Sequence, residues 1–147
     1  MADNDEAVVS YEEIMSEADV FQKHLEELNE KIDGITYSIV ATVDGFPVAY
    51  THLEEKNAAG SAALAASLDG LGETVSIESQ MESVDAIHVE CANGFIFCRN
   101  IDLEEKRRVV LLLATTNKGS LGILLWHIKN TSDEMKKDFV EKKKTKK

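Results

Sequence analysis

A single proline, two cysteines and a shortage of basic side chains remove several protein classes before any pattern is considered. Cys91 and Cys98 are too few for a disulfide scaffold, and nothing else in the chain points to an oxidising compartment. No apolar run approaches the roughly 20 residues that span a bilayer, so no integral membrane segment is expected. The N-terminus, MADNDEAVVSYEE, is acidic where a secretory signal would be basic and then apolar, and a soluble, cytoplasmic protein is the expectation. With 16 basic residues against 27 acidic ones the net charge is -11, which argues against a general nucleic-acid binder. P-loop, GxSxG, HExxH and GxGxxG motifs are all missing, and the histidines at 24, 52, 88 and 127 are scattered over different segments. Neither an enzyme, nor a cofactor, nor a metal is therefore expected. A zinc site from His88, Cys91 and Cys98 fails because alternation along a strand turns His88 away from both cysteines.

The charge is unevenly spread. From Lys136 onward seven lysines face Asp138 and Glu141, a net of +5, so residues 1–135 carry -16. Six acidic side chains and no basic one precede Ala18. Blocks of this kind read as solvated ends. The length allows one domain with its own core, divided here into an acidic segment at 1–16, a domain at 17–135 and a lysine-rich tail at 136–147. Weak contact of the tail with an acidic surface, lipid, RNA or protein, is the sharper alternative.

The most unusual stretch is Asn57 to Ser79, helical in period yet built of small residues. Leu64, Leu68, Leu71 and Val75 form one ridge at steps of four, three and four; Ala59, Ala63, Ala66 and Gly70 form a second row with the same spacing and little bulk. A helical glycine costs about 1 kcal/mol against alanine, and Gly60, Gly70 and Gly72 all lie here, so close backbone approach should compensate. An ordinary buried helix is one reading, and a helix with one face on its own sheet and another on a second chain is the other. Asp69 and Glu73, four apart, share a helix face and read as solvated or as meeting a basic partner.

Before this stretch, Ile14, Ala18, Phe21, Leu25, Leu28 and Ile32 mark an amphipathic helix from about Tyr11 or Glu17 to Asp33. Ser10 with Glu13, or Ser16 with Asp19, can cap its start, and Gly34 suits the left-handed position after its end. His24, on the stripe's margin, reads as a surface residue. ITYSIVATVDGFPVAYTH then alternates, and Asp44-Gly45 predicts a two-residue hairpin pairing Ala41 with Val48 and burying Tyr37, Ile39, Ala41, Val43, Phe46, Val48 and Tyr50. Pro47 puts the second strand at a sheet edge. Asn93-Gly94 predicts a second hairpin, with Val89 opposite Cys98, the two cysteines diagonal, and Glu90 near Arg99. VVLLLATT has no alternation and reads as a central strand covered on both faces. Leu121, Leu124, Leu125, Ile128, Met135 and Phe139 stripe a last helix, after which the lysines fray away. Trp126 lies off that stripe, as an edge residue or a partner contact.

Helix, hairpin, helix, hairpin, strand and helix satisfy their burial as a three-layer α+β sandwich, a five-stranded antiparallel sheet with one helix on one face and two on the other. In GITYSIVATVDGFPVAY at 34–50, the alanine-rich helix from Ala58, and VVLLLATTNKGSLGILLWHI, the chain resembles the Roadblock family, the dynein-light-chain-type domains that include bacterial MglB-like partners of Ras-like GTPases. The resemblance covers about residues 19–130 and implies strand order 2-1-5-4-3. It also implies a homodimer or heterodimer in which the second helices pack antiparallel and the third strands meet edge to edge. On this sequence the helical interface would be Ala59, Ala63, Ala66, Ser67, Gly70 and Thr74, and the joining strand, within Ser83 to Cys91, would offer Ala86, His88 and Glu90. Asp69, Glu73 and Trp126 are candidate partner contacts. Family members bind a small Ras-like GTPase or scaffold larger assemblies without owning a catalytic centre, so a non-catalytic, dimeric GTPase-regulatory or scaffold module in signalling is expected. A small-ligand sensor of PAS or GAF type, with a pocket of Tyr37, Tyr50 and Phe46, is the alternative.

Overall fold

The computed structural model describes residues 11–104 and 106–145. Its elements are α1 (Ala18–Lys31), β1 (Ile35–Thr42), β2 (Pro47–Thr51), α2 (Glu55–Glu78), β3 (Ala86–Cys91), β4 (Gly94–Asp102), β5 (Arg108–Thr115) and α3 (Leu121–Thr145), with a short helical segment over 11–16 leading into α1. All strand pairings are antiparallel, in the order β2-β1-β5-β4-β3. The expected three-layer α+β sandwich is the observed one.

Two apolar clusters, one on each face of the sheet, explain the layering. Val109, Leu111 and Leu113 of β5 join Phe21, Leu25 and Leu28 of α1 and Ile128, Met135 and Phe139 of α3. Val110 and Leu112 point the other way and join Ile39, Ala41 and Cys98 beneath Ala58, Ala62 and Ala65 of α2. A central strand covered on both sides needs apolar residues at every position, which is why VVLLL lacks alternation. Phe21 and Phe139, both fully buried, lie 5.9 Å apart between ring centroids and lock α1 to α3; burying side chains of this size stabilises by about 1.5–3 kcal/mol each.

Both hairpin registers depart from the expected ones. The first turn has three residues, Val43, Asp44 and Gly45: Thr42 N–H donates to Phe46 O at 2.9 Å, and Gly45 takes φ +90°. Ala41 therefore pairs with Pro47 and Val40 with Ala49, leaving Val48 as the extra residue of a β-bulge. Val48 turns to the α1 side with Ala49, while Val43 and Phe46 stand exposed at the hairpin tip. In the second hairpin Cys91 pairs with Gly94, so Ala92-Asn93 is the turn. The shift moves each partner by two, and the faces survive: Ile87 opposes Cys98 and Val89 opposes Ile96. Cys91 and Cys98 are then no longer diagonal, and both are free thiols. Arg99 opposes Ala86, well away from Glu90. Gly94 is held out of the turn because it lies on β5; a Cβ there would sit 2.0 Å from the Thr115 carbonyl oxygen.

The chain ends also differ from the sequence reading. Ser16 Oγ donates back to Glu13 O at 2.8 Å rather than capping α1, and Glu17 occupies the N-cap position, its side chain making no capping bond to the helix amides; Ser10 lies outside the described residues. Gly34 takes φ +80°, as expected. The lysine-rich segment does not fray within the described residues, since α3 runs to Thr145, Phe139 is fully buried, and Lys143 lies 2.8 Å from Glu13. Leu121, expected in the buried stripe, is exposed. Among the described residues no helix is long and apolar enough to cross a membrane.

Candidate protein interface

The two edges of the sheet are treated differently. At β2 the amide of Gln22, reaching from α1, accepts from Tyr50 N–H at 3.2 Å and donates to Tyr50 O at 3.1 Å, closing that edge with a side chain. At the opposite edge β3 pairs, among the described residues, on one side only, with β4, and His88, Val89 and Glu90 are exposed.

Beside the β3 edge lies the outer surface of α2. The helix rests on the sheet through Ala58, Ala62, Ala65, Asp69, Gly72 and Ser76, a third row offset by one residue from the alanine row and absent from the expectation. Small side chains bring the backbone close: a Cβ on Gly72 would lie 2.5 Å from Ile87 Cδ1. Neither expected row is buried in the single chain. Leu64, Leu71 and Val75 are 64%, 59% and 56% exposed, and Leu68 is half-buried. Ala59, Ala63, Ser67, Gly70 and Thr74 are exposed, and Ala66 is half-buried near Gly45 of the hairpin tip.

Leu68 and Leu71 separate two shallow apolar hollows. One, of about 390 Å³, is framed by Val75, Met81, Val84 and Ile87; the other, of about 320 Å³, by Tyr37, Leu64, Val89 and Ile96. Ile87 and Val89 thus share the α2 side of β3, whereas His88, edge-to-face with Phe97 at 5.4 Å, points to the other side. The exposed patch continues through Ile77 and Met81. Ile87, Val89, Ile77 and Met81 were missed by the sequence reading, although the alternation of AIHVEC pointed to the first two.

The acidic pair on α2 meets a basic residue of its own chain. Asp69 is buried and lies 2.8 Å from Arg108 Nη2, with Glu73 3.4 Å from Nη1. Burial alone would lower the Arg108 pKa; the charge and hydrogen bond of Asp69, then Glu73 and Asp102, outweigh it and hold the guanidinium above its ordinary value. Burial, with Asp69 adding to it, also pushes the Cys98 thiol up to about 12, so Cys98 is an inert filler. Trp126 is 62% exposed and edge-to-face with His127, but α3 lies on the opposite layer and Trp126 is not brought together with the α2 and β3 residues.

The surface thus joins an open strand edge to an adjoining apolar helix face. The Roadblock/LC7 domain profile matches residues 21–114. The chain belongs to the Roadblock/LC7 family. Among solved structures, this Roadblock/LC7 chain is similar to Myxococcus xanthus MglB, with a TM-score of 0.72 at 18% identity over 85% of this chain and 91% of that one. A Roadblock/LC7 domain from Streptomyces avermitilis gives 0.68 at 18% identity over 81% and 97%. The gliding protein MglB from Thermus thermophilus gives 0.67 at 15% over 90% and 92%. At these identities the likeness shows the fold. No similar sequence was found among curated proteins.

Proposed function

We propose that this Roadblock/LC7 chain is a non-catalytic module that forms a homodimer through α2 and β3 and, as a dimer, binds a small Ras-like GTPase and modulates its nucleotide cycle. The observation that carries the dimer is the continuity of the exposed Leu64, Leu71 and Val75 ridge with the open β3 edge, on the sheet face that carries one helix. Contiguous apolar patches of this extent mark interaction sites on soluble proteins. Pairing of two β3 strands would satisfy the unpaired backbone groups and bring the two ridges together. Gly60 and Gly70 support the same reading, because nothing among the described residues lies within 4 Å of where their side chains would be. One structural relative is an MglB with a tetrameric arrangement, an assembly of that protein. The GTPase part rests on the resemblance to MglB-like partners of Ras-like GTPases.

The sensor alternative loses its pocket. Tyr37 and Tyr50 pack under α2, while Phe46 sits at the hairpin tip with its ring centroid 5.5 Å from that of Tyr11, so the three do not converge.

Sizing chromatography with light scattering tests the dimer, and co-purification with a small Ras-like GTPase, followed by single-turnover GTP hydrolysis, tests the regulation. A monomer at micromolar concentration would overturn the first part, and a dimer that neither binds the GTPase nor changes its turnover would overturn the second.

A further inference from the structure

On the far side of the sheet from that surface, His24 stands among carboxylates between α1 and α3. Its sequence position suggested a surface residue, yet it is 4% exposed. Nε2 lies 2.6 Å from Asp138 Oδ2. An ionised carboxylate can only accept, so Nε2 is the nitrogen that donates to Asp138. Nδ1 is buried and has no hydrogen-bond partner among the described residues. It faces Glu27 Oε2 at 3.4 Å and Glu134 Oε2 at 3.9 Å. The other oxygens of these carboxylates are engaged elsewhere, Glu27 Oε1 with Lys23 at 4.0 Å and Glu134 Oε1 with the Asn130 amide at 3.5 Å.

One ligand-type atom each from His24, Glu27 and Glu134 thus converges on one point, all within 4.8 Å of one another. We propose that His24 Nδ1, Glu27 and Glu134 bind one divalent transition-metal ion, with zinc as the ion that suits them. Zinc takes nitrogen and oxygen ligands at about 2.0–2.2 Å in a tetrahedron, which sets ligand atoms about 3.3 Å apart. The Nδ1 to Glu27 separation already fits, and a rotamer adjustment of the half-exposed Glu134 closes the other. Asp138 then serves as the outer carboxylate that orients a metal-binding imidazole. Glu27 and Glu134 are 39% and 46% exposed at their side chains, so ions have an entry path and the fourth position is left to water. The ion would tie α1 to α3 far from the proposed dimer surface, and the site stands or falls independently of the GTPase reading.

The test is equilibrium dialysis of the full chain, stripped with chelator, against zinc chloride, alongside Glu27→Gln and Glu134→Gln, which keep side-chain shape at half-exposed positions. The expected result is one zinc per chain, weakened more than about tenfold in each variant, with far-UV circular dichroism unchanged. Zinc at a hundredfold excess over Kd should also raise Tm on the order of 5–10 °C in the parent and not in the variants. Equal affinity in parent and variants, loss on His127→Gln or His88→Gln instead, or no saturable binding below about 1 mM would overturn the site. Equal uptake of magnesium, which prefers all-oxygen ligands, would overturn the part given to His24.

Discussion

Asp69 of α2 and Arg108 of β5 meet at 2.8 Å, an acid almost wholly buried and a guanidinium partly in solvent. The pair fixes where along the sheet the alanine-rich helix sits, which small side chains alone would leave free to slide. Its two halves are not equivalent. Removing Arg108 strands a buried carboxylate, whereas removing the carboxylate leaves Arg108 with Glu73 and water. Arg108→Ala should cost about 3 kcal/mol and Asp69→Asn about 1–2 kcal/mol, measured as shifts of the urea midpoint at constant m-value. Equal losses would mean that Glu73 does not take over.

The glycines of this chain should separate by sign. Gly60 has nothing among the described residues of its own chain within 4 Å on its open side, so in the monomer Gly60→Ala should stabilise the helix by about 0.5–1 kcal/mol. Gly94→Ala would drive a Cβ into the Thr115 carbonyl, a backbone atom that cannot yield without parting β4 from β5, and should cost about 3 kcal/mol. Thermal denaturation of the two variants side by side reads both.

Cys98 supplies a pH dependence with a definite direction. Its folded pKa, raised from 9.0 to about 12, means that the unfolded chain loses the thiol proton first. Stability from this group is complete below pH 9 and falls as pH rises toward 12, by at most about 1.4 kcal/mol per unit. Cys98→Ala should remove that part of the alkaline slope. With a thiol reagent at about pH 8, half-buried Cys91 should react first and Cys98 only on unfolding.

For the proposed dimer, Gly70→Leu and Leu71→Glu act differently on one surface. Leucine at 70 enters open space in the single chain, so the fold should persist while a close helix pair is blocked. Glutamate at 71 removes part of the apolar ridge. Both should elute as monomers with unchanged circular dichroism; a dimer in either case would move the interface away from α2.

What the sequence made legible depended on how many readings a pattern allows. VVLLLATT has one, a covered central strand, and Pro47 has one, an edge, and both placements are observed. On α2, alanines at 58, 59, 62, 63, 65 and 66 offer several rows about 100° apart that composition cannot rank. The choice falls to Asp69 finding Arg108 and Gly72 fitting Ile87, contacts made far along the chain. His24 was unreadable for the same reason, since Asp138 lies 114 residues away. Asp-Gly and Asn-Gly located both hairpins but not their registers, which a bulge at Val48 and the seating of Gly94 on β5 decide.

The straight run of α3 to Thr145, about 37 Å at 1.5 Å per residue, changes what its lysines are. Lys142, Lys143 and Lys144 ride the last turn of a docked helix, where cations also complement the helix dipole. Lys143 holds Glu13, which also pairs with Arg107, so Glu13 is a tethered competitor for Lys143. An acidic surface arriving at Lys143 must displace Glu13, whereas Lys142 and Lys144 on the same turn stay open to it.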